Sequence, residues 1–528
     1  MTDRRWLGPL AIGLLLAGPA QLRAQSTPQV RIAGGLVEGA VAPSGVRMFK
    51  GIPFAAPPVG ERRWKEPQPA APWKGVRTAT RFGPRCMQLP IFSDMVFRSD
   101  GMSEDCLYLN VWTPAHSTAG RLPVLVYFYG GGFVGGDGSE LRYDGESLAR
   151  HGIVVVTLNY RLGAFGFLAL PALTRESPHH ASGDYGLLDQ AAALRWVRRN
   201  IAAFGGNPDR ITIGGESAGS IAVTAQMASP LSRRLIAGAI GESGGMIRPT
   251  FAPVPLAEAQ RDGEAFADSV GAKTLAALRA LPADSLLRAS GRPGSNRFPA
   301  TEDGYFLPAT AAEIFASGAQ AHVPLLVGWN SEESSWRGLL GTQEPTTENY
   351  AAALRTRFGD RANEALALLP DSTPAQVMDA AAVISGAQFI AYSTWRWAEL
   401  QRRTGRRAVY VYLYAHPRPP TKAPEQTPLH SGAVHSAEIE YALGNLATNQ
   451  VYAWTPEDYG LSETMQAYFA NFVKSGNPNG AGLPPWPATV SGDSSQVMIL
   501  DVAPRAKLAP HAAVYRFFDR FYTERAAR

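Results

Sequence analysis

Cysteine is almost absent from this chain. Its 528 residues hold two, Cys86 and Cys106. Neither stands beside a histidine or in a Cys-x-x-Cys pair, which leaves thiol catalysis and a thiolate zinc centre without support. Charged residues are sparse at 18%, while 45% are hydrophobic, a balance that builds a core rather than a disordered chain. The Arg-Arg pairs at 62–63, 198–199, 233–234, 402–403 and 406–407 are scattered. No basic run interleaves with aromatics, so nucleic acid is not an expected partner. His179 and His180 are adjacent and point apart in an extended chain, a poor metal pair. Neither a metal nor an organic cofactor is expected. Past the N-terminus no apolar run approaches the roughly 20 residues that cross a bilayer. Repeats, long low-complexity tracts and linkers are missing too, so the chain reads as one large domain with insertions.

What is present begins with a targeting segment. Arg4 and Arg5 precede the apolar run Trp6–Ala17, and Gly18–Ala24 supplies small residues for cleavage. Residues 1–24 are therefore expected to be a signal peptide and 25–528 the mature chain, secreted or periplasmic, without stable membrane insertion after cleavage. The paired arginines leave the Sec and twin-Arg routes both open. In an oxidising compartment two cysteines 20 residues apart most simply form one disulfide.

Hydrophobic patterning then gives strands and helices in alternation. Val30–Val41 reads as a hairpin and Phe49–Pro69 as an ordered loop. Strands are expected within Asp105–Pro114, Leu122–Tyr129, Gly152–Tyr160, Arg210–Gly214, Leu235–Glu242, Val323–Trp329 and Ala408–Ala415. Gly186–Phe204 has helical period, and residues 255–320 and 345–405 carry Ala-rich helical patterns. Such alternation predicts an α/β fold, with a large, mostly parallel sheet and helices on both faces.

One pentapeptide stands out within that pattern. Gly215-Glu216-Ser217-Ala218-Gly219 lies between the strand at Arg210–Gly214 and a helical run, Ser220–Met227. Strand, Gly-x-Ser-x-Gly, helix is a nucleophile elbow. Its glycines let the two backbones approach, and the serine hydroxyl stands at a helix N-terminus, where negative charge is favoured. An elbow predicts partners. Gly130-Gly131-Gly132 follows the strand Leu122–Tyr129, so the N–H groups of Gly131, Gly132 and Ala218 would converge on one oxyanion. Gly130–Gly135 also spells Gly-x-Gly-x-x-Gly, but Gly136-Asp-Gly-Ser139 follows where a dinucleotide site needs a helix. The base is expected late, and His416, His430 and His435 all lie near or after the strand Ala408–Ala415. The acid is expected after Val323–Trp329, where Glu332 and Glu333 are equally placed by spacing.

Further segments resemble the type-B carboxylesterase and cholinesterase family of α/β-hydrolases. They are Phe49–Gly60, Glu104-Asp-Cys-Leu-Tyr-Leu-Asn-Val111, Tyr129–Phe133, Asn159-Tyr-Arg-Leu-Gly163, Gly186-Leu-Leu-Asp-Gln190, Phe204–Asp209, Gly476-Asn-Pro-Asn479 and Trp486-Pro487. The likeness runs from about residue 30 to 520. It implies the α/β-hydrolase fold with Ser217 as nucleophile, Glu333 as acid and His435 as base. It also implies Glu216 and Ser243 as supporting residues, and Cys86–Cys106 as the family's first disulfide. Phe133, Phe298 and Trp336 become candidates for the substrate pocket. No Trp lies between Met87 and Asp105, where cholinesterases carry the one that holds choline, so the likeness points to a simpler bacterial member similar to the para-nitrobenzyl esterases. The expected partner is a small-molecule ester, the expected state a monomer or homodimer. Activity should rise with pH at a midpoint of roughly 6 to 7, as an ordinary histidine loses its proton. A lipase, a feruloyl-type esterase and a toxin-detoxifying esterase are alternatives on the same residues. A non-catalytic cholinesterase-like binding protein is the alternative of another class.

Overall fold

The structure, a computed structural model, describes Thr2 and residues 27–292, 298–423, 432–489 and 495–526. The expected signal peptide, Thr2 apart, and His430 lie outside the described residues. Eleven strands form the central sheet: β1 (Ala40–Val41), β2 (Arg47–Pro53), β3 (Tyr108–Thr113), β4 (Leu122–Phe128), β5 (Val154–Leu158), β6 (Gly206–Glu216), β7 (Gly238–Glu242), β8 (Leu325–Asn330), β9 (Val409–Tyr414), β10 (Gln496–Leu500) and β11 (Arg505–Leu508). Their order is β11-β10-β9-β8-β7-β6-β4-β5-β3-β2-β1. Strands β4 to β10 pair parallel. Those at the two edges pair antiparallel. The run Pro123–Phe128 is buried residue after residue, as a strand covered on both faces requires.

Helices supply the two covers. α1 (Tyr185–Asn200), α2 (Ala218–Ala228), α3 (Tyr392–Thr404) and α4 (Pro456–Ser475) are the main ones. Gly238 and Gly241 lie three residues apart on β7, hence on opposite faces. A side chain at Gly238 would meet Phe472 of α4, and one at Gly241 would meet Trp397 of α3 and Ser220 of α2. Two long insertions, one between β7 and β8 and one between β8 and β9, hold most remaining helices. Among the described residues no helix is long and apolar enough to cross a membrane.

The expected strands and helices form, as does the hairpin of Gln29–Ile32 with Gly35–Glu38. Two readings need correction. Phe49–Pro69 is not loop throughout, because Arg47–Pro53 is β2, antiparallel to β3. Its register shifts between Phe49 and Ile52, and Gly51 adopts φ +69° while its N–H donates to the Asn110 side chain. This bulge puts both Phe49 and Ile52 in the core, although their spacing of three breaks the period of two. β10 and β11 also lie where no strand was expected.

Candidate active site

The elbow forms as the glycines demand. Ser217 follows β6 and precedes α2 with φ +55° and ψ −122°, a strained conformation for a non-glycine residue. A Cβ at Gly215 would lie 2.6 Å from the Gly219 carbonyl carbon, and one at Gly219 would collide with the Phe128 carbonyl. Only glycine lets β4, β6 and α2 meet here. The Ser217 N–H donates to the Glu242 carbonyl at 2.8 Å, pinning the turn to β7.

His435 reaches this serine from a loop beyond β9. Its Nε2 is 3.0 Å from Ser217 Oγ, and its Nδ1 is 2.6 Å from Glu333 Oε2. In the neutral imidazole Nδ1–H donates to the carboxylate and Nε2 accepts the serine O–H. Glu333 follows the end of β8 with its carboxylate almost wholly buried. Its other oxygen accepts from Ser243 Oγ at 2.5 Å and from the Asn330 N–H at 2.7 Å. Ser243 therefore stands behind the acid. Glu332 serves the histidine loop instead, accepting the Gly432 N–H at 2.9 Å while its own N–H donates to the Ala433 carbonyl. His416 lies between Asp458 and Asp501, at 2.8 and 3.3 Å.

The glycine loop lies against the elbow. A Cβ at Gly130 would be 3.2 Å from Ser217 Cβ and 2.8 Å from Glu216 Oε2. Gly131 and Gly132 have φ of +103° and +61°. Val134 and Gly135 both donate to the Gly131 carbonyl, which closes the turn. The N–H groups of Gly131, Gly132 and Ala218 are spent on no acceptor among the described residues, so all three are available to an oxygen placed beside Ser217.

Three further buried carboxyls, Glu216, Glu438 and Glu242, interact with one another around this site. Glu216 Oε1 is 3.4 Å from His435 Nε2 and has no hydrogen-bond partner among the described residues. Burial pushes Glu216 up to about 8. Burial also raises Glu438 to about 7, with Glu333 adding to the effect, and raises Glu242 well above its ordinary value. Glu438 accepts from Asn330 Nδ2 at 2.5 Å and lies 3.2 Å from Ser243 Oγ, so it belongs to the same network. For His435 burial acts downward, but Glu216 and then Glu333 more than offset it, and the imidazole rises to about 9.

Of the pocket candidates, Phe133 is beside the site, packed on Tyr160, Phe167 and Phe251. Phe298 stands edge-on to Phe266 in the first insertion, and Trp336 lies under the Arg337 guanidinium. Sequence reasoning missed Phe251 and Phe389. Phe251 lies over Gly132, its Cζ 3.9 Å from where a Cβ would be, and Phe389 meets the His435 ring edge-on at 5.0 Å. Isolated aromatics inside helical insertions carry no sequence signal. The Cys86–Cys106 disulfide is present.

A parallel sheet carrying a strand–serine–helix elbow, with an acid and a histidine following later strands, defines an α/β-hydrolase. Comparison with known proteins agrees and narrows the class. The model of the carboxylesterase family matches residues 26–518. The chain is 38% identical to fumonisin B1 esterase of Sphingopyxis macrogoltabida, over 86% of this chain and 83% of that one. It is 36% identical to human cocaine esterase, over 98% and 96%. A solved structure of PNB esterase superposes with a TM-score of 0.77 at 34% identity, covering 93% of this chain and 99% of that one. The chain belongs to the carboxylesterase family and is a carboxylic ester hydrolase.

Proposed function

We propose that this enzyme hydrolyses small-molecule esters through an acyl-enzyme on Ser217. His435 Nε2 takes the Ser217 proton as Oγ attacks the ester carbonyl. The carbonyl oxygen becomes an oxyanion held by the N–H groups of Gly131, Gly132 and Ala218. Each such donor can contribute about 3 kcal/mol in the transition state. The C–O bond to the alcohol then breaks, and His435 returns the proton to the departing oxygen. Water, deprotonated by the same imidazole, cleaves the acyl-enzyme and regenerates Ser217. Glu333 fixes the tautomer and stabilises the imidazolium, while Ser243 and Asn330 hold Glu333 still.

The observation that carries this reading is the unbroken chain Glu333–His435–Ser217, at 2.6 and 3.0 Å. The presence of Ser217, His435 and Glu333 together favours an enzyme over a non-catalytic binding protein. Export is part of the proposal. Its support is the apolar, arginine-led N-terminal segment and the Cys86–Cys106 disulfide, a bond that persists in oxidising compartments. The relatives named for fumonisin B1 and for cocaine make the esters in those two names the first substrates to try. Treatment of the purified protein with a fluorophosphonate probe tests the nucleophile. Mass spectrometry should find one adduct, on the peptide holding Ser217, and an adduct elsewhere would contradict the assignment.

A further inference from the structure

The stereochemistry of the proposed acyl transfer, together with two aromatic rings outside the triad, divides the mouth of the site into an alcohol side and an acyl side. The tetrahedral adduct carries four groups: Ser217 Oγ, the oxyanion, the leaving alcohol oxygen and the acyl carbon. His435 Nε2 must reach the first and third in turn, since it takes a proton from one and gives it to the other. The leaving oxygen therefore lies on the His435 side of Ser217, and whatever the alcohol carries must run past the imidazole. The oxyanion points to the glycine loop, and the acyl carbon takes the remaining direction, away from the histidine.

Phe389 is the ring on that imidazole. Its centroid is 5.0 Å from that of His435 at an interplanar angle of 77°. It is 40% exposed, in a chain that buries most of its phenylalanines, so packing alone does not explain its place. The backbone around it is specialised. Ala387–Ala391 is a π-helical turn between the helix Pro374–Gly386 and α3, a distortion that costs stability and is frequent at functional sites. Side-chain hydroxyls tie this turn down. Thr250 Oγ1 donates to the Phe389 carbonyl at 2.5 Å, and both Ser393 and Thr394 donate to the Ile390 carbonyl. Thr250 is itself buried, and the next residue is Phe251, the 43% exposed ring beside Phe133 and above Gly132. One hydrogen bond thus joins the two inserted segments that bring an exposed ring to the histidine and another to the glycine loop.

We infer that Phe389 is the specificity-determining residue of the alcohol side, selecting esters whose alcohol presents an aromatic or broad apolar surface next to the ester oxygen, and that Thr250 is a positioning residue that holds Phe389 on His435. The inference rests on Ser217 and His435 acting as proposed above. An aryl-bearing alcohol gains an edge or face contact with Phe389 as it passes the imidazole, and a short alkyl alcohol does not reach it. Acyl groups point away and are indifferent to this ring.

The test measures kcat/KM for two ester series in the full-length wild-type, Phe389→Ala, Phe389→Leu and Thr250→Val proteins. One series fixes the acetyl group and varies the alcohol through ethyl, butyl, benzyl and naphthylmethyl. The other fixes ethanol and varies the acyl group from acetyl to hexanoyl. Comparing each variant with wild type on the same ester cancels intrinsic leaving-group reactivity. Phe389→Ala should lower benzyl and naphthylmethyl acetate by about tenfold relative to ethyl acetate, and should leave the acyl-length profile within about twofold. Phe389→Leu should fall between, and Thr250→Val should show the same selectivity change at smaller size. A fluorophosphonate adduct should still form on the peptide holding Ser217 in all three, showing that the nucleophile is intact. An equal loss on every ester, a change confined to the acyl series, or no change would overturn the inference. Ser217→Ala on the same panel separates the two questions: if it retains activity, the acyl-enzyme reading fails whatever Phe389 does.

Discussion

Glu332 and Glu333 are neighbours in the chain with different partners. Glu333 Oε2 lies 2.6 Å from His435 Nδ1, while Glu332 Oε2 accepts the Gly432 N–H at 2.9 Å. One carboxylate orients the imidazole and the other pins the loop that carries it. Glu333→Gln should therefore lower kcat by at least about 10³-fold, because the amide stabilises the imidazolium poorly and permits the wrong tautomer. Glu332→Gln keeps an acceptor for Gly432 and should stay within about threefold of wild type. Steady-state kinetics on one short-chain chromogenic ester checks both, and a reversed order would mean the wrong glutamate is assigned to the histidine.

The pH dependence follows from the buried carboxyls. His435 must be unprotonated to accept the Ser217 proton, and Glu216 and Glu333 hold its proton to about 9. The rate should climb with pH and reach its midpoint well above the ordinary histidine range, rather than at roughly 6 to 7. Glu216→Gln removes one of the two nearest carboxylates, so its midpoint should shift downward. The measurement is kcat/KM across about pH 5 to 10, corrected for spontaneous hydrolysis. A midpoint in the ordinary range that Glu216→Gln does not move would contradict this electrostatic account.

The disulfide joins stability to the site. The segment it closes puts Met95 Cε 3.0 Å from where a Cβ on Gly131 would stand, and the Phe92 ring beside Gly135. Replacing both cysteines by serine should cost about 3 kcal/mol of stability by the chain-entropy estimate for a loop of this length. It should also lower kcat/KM, as the cover of the glycine loop loosens. Urea unfolding and ester kinetics on the double variant check the two effects separately.

A buried acid pair away from the site sets a second pH dependence. Burial and then Asp303 hold Asp184 well above its ordinary value, and burial raises Asp303 from 3.8 to about 6. The fold thus binds protons that the unfolded chain has lost, so stability falls as pH rises from 3.8 through about 6, and the penalty persists above. Asp184→Asn keeps an acceptor for the Thr301 N–H and removes one ionisation. Its thermal midpoint should exceed that of wild type above about pH 7 and converge with it near pH 4. A gap that does not narrow toward acid pH would exclude ionisation as its cause.

Much of this was legible from sequence because local backbone demands are severe. Gly215, Gly219 and the Gly130–Gly132 run are required by close approach or positive φ at fixed offsets from strands, so the elbow and the glycine loop could be read directly. Position in the chain narrowed the acid and the base to Glu332 or Glu333 and to a few histidines. Only the family resemblance chose among them, because a turn decides which of two adjacent side chains faces inward. The bulge at Gly51 disguised β2, and β10 and β11 are short strands near the C-terminus with no motif beside them. The raised pKa of His435 depends on Glu216 and Glu333, brought beside it from separate segments, and Phe251 and Phe389 meet the site only through the packing of the two insertions.

The most direct test of the central claim is the activity of Ser217→Ala on a short-chain chromogenic ester, with fluorophosphonate labelling run beside it. The account predicts a loss of at least about 10⁴-fold in kcat and no adduct, with the fold unchanged by circular dichroism. Retention of more than a few per cent of wild-type activity, or an undiminished adduct, would contradict it.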